Sequence, residues 1–484
     1  MPTPHYNRIL YVFRQDLRVD DNTGLTQSWN DGKEIVPVFI YDTFVLDQFP
    51  KDDPRLWFQH QALKKLKHDL QNLWADLHTY HGVASELIPQ LLKEYECDAL
   101  YFNSAYGTHT QWRDRKITER ASSNGIHTRQ FPDYLLVEPD KIEVRKVYSA
   151  FYRLWKMYPK SVKKFSLSKH KQPTIHPVLP DHYLELDDAA LIKLWWSELS
   201  MRDATNLQHH LDRTLNPQYN VERNIPNVEW TSKISPFLNF GVVSPRELLR
   251  IQLRNHKDNG QGWFTHEKET DTVTMSKDKE LFKNVFVQEL ARRDFWNFAM
   301  HYFPETAHEA FNKKYKNIER INHNPRREAR KTWTTWYPII DAAMRQLHTE
   351  KRMHGRTRMI VASFLTKDLL IDRTRWEKHF RDHLLDYDSN INIGNRQRSA
   401  SVGIDPKPLR IFNPILQSQK YDPDAEYILK RIPELKGQPI KAIHDPIKYD
   451  LDYIEPVVDH YITSKLAKKM YYGEDINEEI NKLF

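Results

Sequence analysis

Between Trp336 and Asn413 the chain concentrates side chains suited to holding a large polar ligand. Cations crowd one end of the stretch: Arg345, Lys351, Arg352, His354, Arg356 and Arg358. An acidic pair, Asp386 and Asp388, follows in a polar run with Asn390, Asn392 and Asn395 that reads as a loop. Guanidinium groups bind phosphates through paired N–H donors, and carboxylates accept from hydroxyls. Together they suit a ligand that carries both. An ordinary helical core with a solvated charged rim accounts for the same residues, and spacing alone does not choose between the two.

Three more segments carry candidate chemistry. In YNVERNIPNVEWTSKISPFLNFGVVSPREL (219–248), Thr231, Ser232 and Ser235 precede a Pro–Phe–Leu helix start. Hydroxyls and unpaired N–H groups at a helix N-terminus attract phosphate, although a plain cap is the simpler use. In FVQELARRDFWNFAMHYFP (286–304), Glu289 lies four residues before Arg293, the spacing of an i,i+4 ion pair. The run 312–331 has eight Lys or Arg against two Glu, a solvated face or a neutraliser of phosphates.

These groups need elements to hold them. Ile339, Ile340, Ala343, Met344 and Leu347 recur at helical spacing, as do Met359, Ile360, Ser363, Phe364 and Lys367. Two helices are predicted there. Towards the N-terminus the period changes. Short apolar runs at 8–13, 34–41, 98–103 and 128–137 read as buried strands, and 58–74 and 84–95 as helices between them. Such alternation predicts a Rossmann-like parallel sheet, although the Gly-rich dinucleotide fingerprint is absent. The predicted division is an α/β domain at 1–137, a connector at 138–200 and an all-helical domain at 201–484. In the connector, VYSAFYRLWKMYPK reads as ordered and KSVKKFSLSKHKQP as an exposed loop.

Composition sets bounds. At 484 residues the chain accommodates two domains, and its net charge of +7 is compatible with a polyanionic partner. A single cysteine, Cys97, excludes an intrachain disulfide and a cysteine metal cluster, and no metal site is expected. No apolar run is long enough to span a bilayer, and MPTPHYNRIL lacks the apolar core of a signal peptide. A cytoplasmic protein without a membrane partner is expected.

The order YPIIDAAMRQL, MHGRTRMIVASFLTKDLLID, DYDSNIN and RIFNP resembles the photolyase/cryptochrome family, bacterial cyclobutane pyrimidine dimer photolyases above all. The likeness extends over about residues 6–435. It implies an α/β antenna domain, a helical domain that holds FAD, and damaged duplex DNA as the partner of a monomer. By the same resemblance Tyr219 and the run Thr231, Ser232, Lys233, Ile234 and Ser235 grip the FAD pyrophosphate. Arg358, Asp386, Asp388 and Asn392 match the flavin cradle. Glu289 matches a glutamate that bonds the damaged bases, Met359 a methionine packed against the dimer, and Asn392 joins them in the catalytic set. Arg223, Arg292, Arg293, Arg356, Arg398 and Arg410 fall at DNA-facing or pocket positions. FRQDLRVDDN (13–22) resembles the opening of the antenna domain, but Gly107 stands where folate-binding antennas carry glutamate, so the antenna chromophore stays open.

The chain departs from this family at five positions that usually hold tryptophan: Arg292, Arg352, Arg373, Arg396 and Arg398. Arg292 and Arg398 match aromatic walls of the lesion pocket. Arg373 and Arg396 match inner steps of an electron relay whose surface step is Lys314, and Gly355 replaces an asparagine. Guanidinium does not relay an oxidising hole as indole does. Two functions therefore remain: a light-driven lyase that splits pyrimidine dimers, and a repair-deficient, cryptochrome-like flavoprotein that binds DNA or senses light.

Overall fold

Five parallel strands form the larger sheet of this protein in a computed structural model that describes residues 5–48, 53–73, 75–167, 207–213, 215, 218–228, 231–258, 272–276, 278–315, 318, 335–404, 409–453, 457–474, 476 and 479. The strands are β1 (Tyr6–Phe13), β2 (Gly32–Asp42), β3 (His78–Gly82), β4 (Ala99–Asn103) and β5 (His127–Phe131). Their order is β3-β2-β1-β4-β5, with Ile9 opposite Ile35 on one side and Ala99 on the other. This is the order of a Rossmann-like sheet. Helices α1 (Thr23–Asp31), α2 (Pro54–Gln71), α3 (Ala84–Glu94) and α4 (Thr108–Ser123) alternate with the strands. Asn22 caps α1 by accepting from the Leu25 N–H, and Asp53 caps α2 ahead of Pro54 at its first position. Ile9 to Phe13 and Ala99 to Phe102 are buried, as a sheet covered on both faces requires.

Two details differ from the sequence expectation. The strand β3, HTYHG, has no apolar run to announce it. The run at 128–137 pairs only as far as Phe131, because Pro132 follows and supplies no N–H for the ladder.

The chain separates into two compact units. The first comprises Met1–Arg145, Ser149–Leu215 and Ser232–His301; the second comprises Lys146–Tyr148, Asn216–Thr231 and Tyr302–Phe484. The first thus contains α5 (Tyr148–Trp155) from Ser149 onward, α6 (Pro245–Asp258) and nearly all of α7 (Val285–Tyr302) besides the sheet. A buried ion network joins these parts. Asp133 accepts from Arg18 and Arg246, and Arg246 and Arg250 both pair with Asp21. Burial pushes the Asp133 carboxyl up, but the two guanidinium groups outweigh it and hold the group well below the usual carboxylate range. Gly241, at φ 66°, fits because a Cβ there would sit 1.9 Å from the Gln15 carbonyl oxygen. Asp294 of α7 accepts from the Leu136 and Val137 N–H groups and from the Trp155 indole.

The second unit is helical. Its elements include α8 (Pro338–Glu350), α9 (Gly355–Ser363), a π-turn at Phe364–Asp368, α10 (Arg373–His383), α11 (Ser389–Ser399), α12 (Pro414–Tyr421), α13 (Glu426–Arg431) and α14 (His460–Tyr472). Ile339, Ile340, Ala343, Met344 and Leu347 form the buried face of α8, as their spacing predicts, and pack with Ile360, Phe364, Trp376 and Tyr427. Lys367 is also buried; its ammonium donates to the Ser401 hydroxyl and the Arg410 carbonyl. The stretch expected as a polar loop after Asp388 is instead α11, started by the Asp388 carboxylate accepting from the Ile391 N–H. No helix among the described residues is long and apolar enough to cross a membrane.

Candidate functional site

The cationic block of the sequence is one helix and its approach. His354 starts α9: its Nδ1 accepts from the Arg356 N–H at 3.1 Å. Burial, then the charges of Arg356 and Arg358, lower this imidazole to about 4, so it is neutral at pH 7 and keeps the lone pair the cap requires. From α9, Arg358 reaches Asp386, with one terminal nitrogen 2.8 and 3.0 Å from the two carboxylate oxygens. Its Nε donates to the Met353 carbonyl at 2.9 Å. The guanidinium is fixed at both ends before any ligand arrives.

Asp388 lies two residues beyond Asp386, and Asn392 is held by its own Nδ2 donating to the Asp388 carbonyl at 2.9 Å. Helices α9 and α11 pack together, so Arg358, Asp386, Asp388 and Asn392 gather at one corner of the second unit. Arg356 donates to the Asn224 side chain and covers the Tyr421 ring at 4.3 Å, while its Nε is enclosed without a protein acceptor. Met359, one residue after Arg358, is 37% exposed. Tyr219 and Arg223 lie near each other on a single turn of helix, with the guanidinium 5.9 Å from the ring centre. Arg398 is half-buried and Arg410 is exposed. Asn224 completes the bonding of Arg356 and has no sequence signal that marks it.

Other predicted residues lie in the first unit. Ser232 and Ile234 are buried and Ser235 is exposed; Lys233 is left-handed at φ 51°. The helix they introduce, Ser235–Asn239, is short, and no side chain caps it. The Ser232 carbonyl faces the His210 Nδ1 at 2.9 Å. Thr231 belongs to the second unit. On α7, Glu289 pairs with Arg292 at 3.1 Å, three residues on, rather than with Arg293 as the i,i+4 spacing suggests. Arg293 turns inward, donating to the Tyr134 carbonyl and covering that ring at 3.7 Å. The basic run 312–331 lies outside the described residues except at 312–315 and 318.

Arg373 and Arg396 are both held by backbone carbonyls. Arg396 is 2% exposed; it donates to the Thr306 and Ala307 carbonyls and pairs with Glu377 at 3.6 Å. Arg373 donates to the His308 carbonyl at 3.2 Å, and the Tyr387 hydroxyl donates to Glu377.

Comparison with known proteins decides the family. A deoxyribodipyrimidine photo-lyase of Synechococcus sp. is 33% identical over 490 aligned positions, covering 96% of each chain. The chain belongs to the DNA photolyase family. A second deoxyribodipyrimidine photo-lyase, from Alkalihalophilus pseudofirmus, is 31% identical over 96% of this chain and 97% of its own. Residues 9–176 match the profile described as DNA photolyase, and residues 286–473 match the FAD binding domain of DNA photolyase. The latter span contains Glu289, Arg358, Asp386, Asp388 and Asn392 but stops short of Tyr219 and Thr231–Ser235. Among solved structures, a bacterial class III photolyase from Agrobacterium tumefaciens superposes with a TM-score of 0.82 at 28% identity, covering 97% of this chain and 98% of its own. An archaeal photolyase from Sulfolobus tokodaii, crystallised with two FAD molecules, gives 0.79 at 28% identity, covering 96% of this chain and 99% of its own.

The donor set of the second unit fits FAD. Ribose and ribitol hydroxyls need acceptors, which the carboxylates of Asp386 and Asp388 provide. Arg358 holds the Asp386 carboxylate in place for them.

Proposed function

We propose that this protein is a light-dependent DNA repair enzyme that splits cyclobutane pyrimidine dimers, acting as a cytoplasmic monomer on damaged duplex DNA. The observation that carries this reading is near full-length similarity to photo-lyases together with the intact Arg358–Asp386 pair. FAD, when bound and reduced, supplies a light-driven electron. The chain's residues do the rest. Arg358 orients Asp386, which with Asp388 and Asn392 holds the flavin's hydroxyls and ring edge, while Tyr219 and Thr231 through Ser235 serve the pyrophosphate. Met359 and Arg398 line the space for the flipped dimer; a base must leave the stack to be reached. Arg223, Arg356 and Arg410 neutralise phosphates. Arg293 is not carried forward as a DNA contact, because its guanidinium serves Tyr134. Glu289 supplies a carboxyl hydrogen bond to the lesion, as stabilisation of developing charge requires. Residues 1–137 serve as the antenna-type domain, 138–200 as the connector and 201–484 as the domain for FAD and DNA.

One observation favours the second reading, a flavoprotein that binds DNA without repairing it. Glu289 is already paired with Arg292, at a position where the family usually has tryptophan. The deciding experiment uses chemically pre-reduced protein, so that the missing electron relay plays no part. Under blue light it should restore an oligonucleotide containing a thymine dimer, and Glu289→Ala should slow repair about 100–1,000-fold, the range of losing one transition-state donor. Intact dimers in the presence of bound FAD and DNA would select the second reading. Recovery in Arg292→Trp/Arg398→Trp would then assign the loss to the pocket walls.

A further inference from the structure

Helix α10 carries His379 and His383 four residues apart, a spacing that puts both rings on one face. Their ring centres are 4.1 Å apart. His348, in the last turn of α8, brings a third ring to the same place, 4.5 Å from His383 and 5.4 Å from His379. One nitrogen from each of the three lies within 4.8 Å of the other two, the one such group of three metal-ligating side chains among the described residues. We propose that His348, His379 and His383 bind a divalent first-row transition-metal ion, Zn2+ being the best match, with its fourth position open to water.

The donor chemistry narrows the ion. Imidazole suits zinc, copper and nickel, whereas calcium and magnesium require oxygen ligands that this group does not offer. Three histidines with one open position are an established zinc geometry. The proton on one ring is already assigned. Nδ1 of His383 is 2.9 Å from the His379 carbonyl oxygen, which only accepts, so Nδ1 donates and Nε2 is the nitrogen that carries the lone pair. Metal-bound histidines are usually anchored in this way. Tetrahedral zinc at about 2.0–2.1 Å from each nitrogen holds its ligands roughly 3.3 Å apart. From separations of up to 4.8 Å the nitrogens need to close by up to about 1.5 Å, a matter of χ rotations. All three side chains are half-buried.

Binding would tie the C-terminal turn of α10 to that of α8. The next residues, Leu384 and Leu385, lead directly into Asp386, and the Leu385 N–H already donates to the Lys351 carbonyl at 2.9 Å. The ion would therefore brace the base of the segment that carries Asp386 and Asp388. Only this last consequence rests on the flavin reading; the metal site itself does not.

The test uses the full chain without an affinity tag, stripped with a chelator and dialysed against Zn2+, with bound metal counted by mass spectrometry. One Zn2+ per chain is expected, and Co2+ in its place should give the intense visible bands of a four-coordinate ion. His348→Gln, His379→Gln and His383→Gln should each weaken binding at least about 10-fold, the size that even a lost outer partner costs. Circular dichroism confirms that each variant is folded. If a variant does not fold, the Co2+ spectrum of the wild type still decides. Octahedral bands, no stoichiometric ion, or unchanged binding in the triple variant, which would place the ion on others of the 23 histidines, each overturn the proposal.

Discussion

Arg396 shows how a cation can occupy a buried position. Burial lowers its pKa, but two carbonyls and Glu377 surround it, and the Tyr387 hydroxyl donates to the same carboxylate. The cost of burying one charge is offset by a second charge and several hydrogen bonds. Removing one member is then worse than never having the pair. Arg396→Leu should destabilise the protein by about 3 kcal/mol in urea unfolding, because Glu377 is left buried without its cation. Adding Glu377→Gln should return part of that loss, and additive effects in the double-mutant cycle would refute the coupling. Arg396→Trp removes the same cation and carries the same cost. Sequence made the arginine conspicuous but not its partners. Thr306 and Ala307 contribute backbone oxygens from some 90 positions away, and backbone atoms leave no mark in a sequence.

At the scale of single elements, α9 depends on a histidine for its start. His354 accepts from Arg356 only while neutral, and its pKa of about 4 in the fold compares with 6.5 for an unperturbed imidazole. Between these values the unfolded chain binds a proton that the folded chain does not. Stability from this group is complete above pH 6.5 and is lost as pH falls through 4. His354→Asn keeps an oxygen acceptor for the cap and cannot titrate. Thermal unfolding at pH 7 and pH 5 should show the wild type losing on the order of 1–2 kcal/mol more than the variant. Equal losses in both would remove His354 from the acid response. The elements themselves were unevenly legible. Helix α8 follows its apolar period residue by residue, and the strands β1, β2 and β4 follow their apolar runs. Helix α11 does not: SNINIGNRQRS is rich in asparagine and carries a glycine, weak helix formers that read as a loop. Its Asp388 cap and packing against α9 and α10 override that preference. β3 is hidden for a related reason, because His78 and Thr79 are buried polar residues in a strand only five residues long.

For the whole molecule, the two compact units carry different parts of the candidate chemistry. Glu289 and Ser232–Ser235 fall in the first, while Arg358, Met359, Asp386, Asp388 and Asn392 fall in the second. Sequence motifs list such residues in one row, but the chain's fold sorts them by the contacts around each. The consequence is a test of where FAD binds. A ligand that binds only the folded state stabilises it by about 2.7 kcal/mol at 100 times its dissociation constant. For a unit the size of the second, that corresponds to a rise of roughly 5–10 °C in its melting temperature. Calorimetry with and without FAD should therefore raise the transition that reports the helical unit, followed through Trp336 and Trp376, which are buried there. Asp386→Ala should reduce the shift by removing the carboxylate that Arg358 orients. Glu289→Ala should leave it intact, since that residue is assigned to the lesion rather than to the flavin. A shift that survives in Asp386→Ala but disappears in Glu289→Ala would reverse the two assignments.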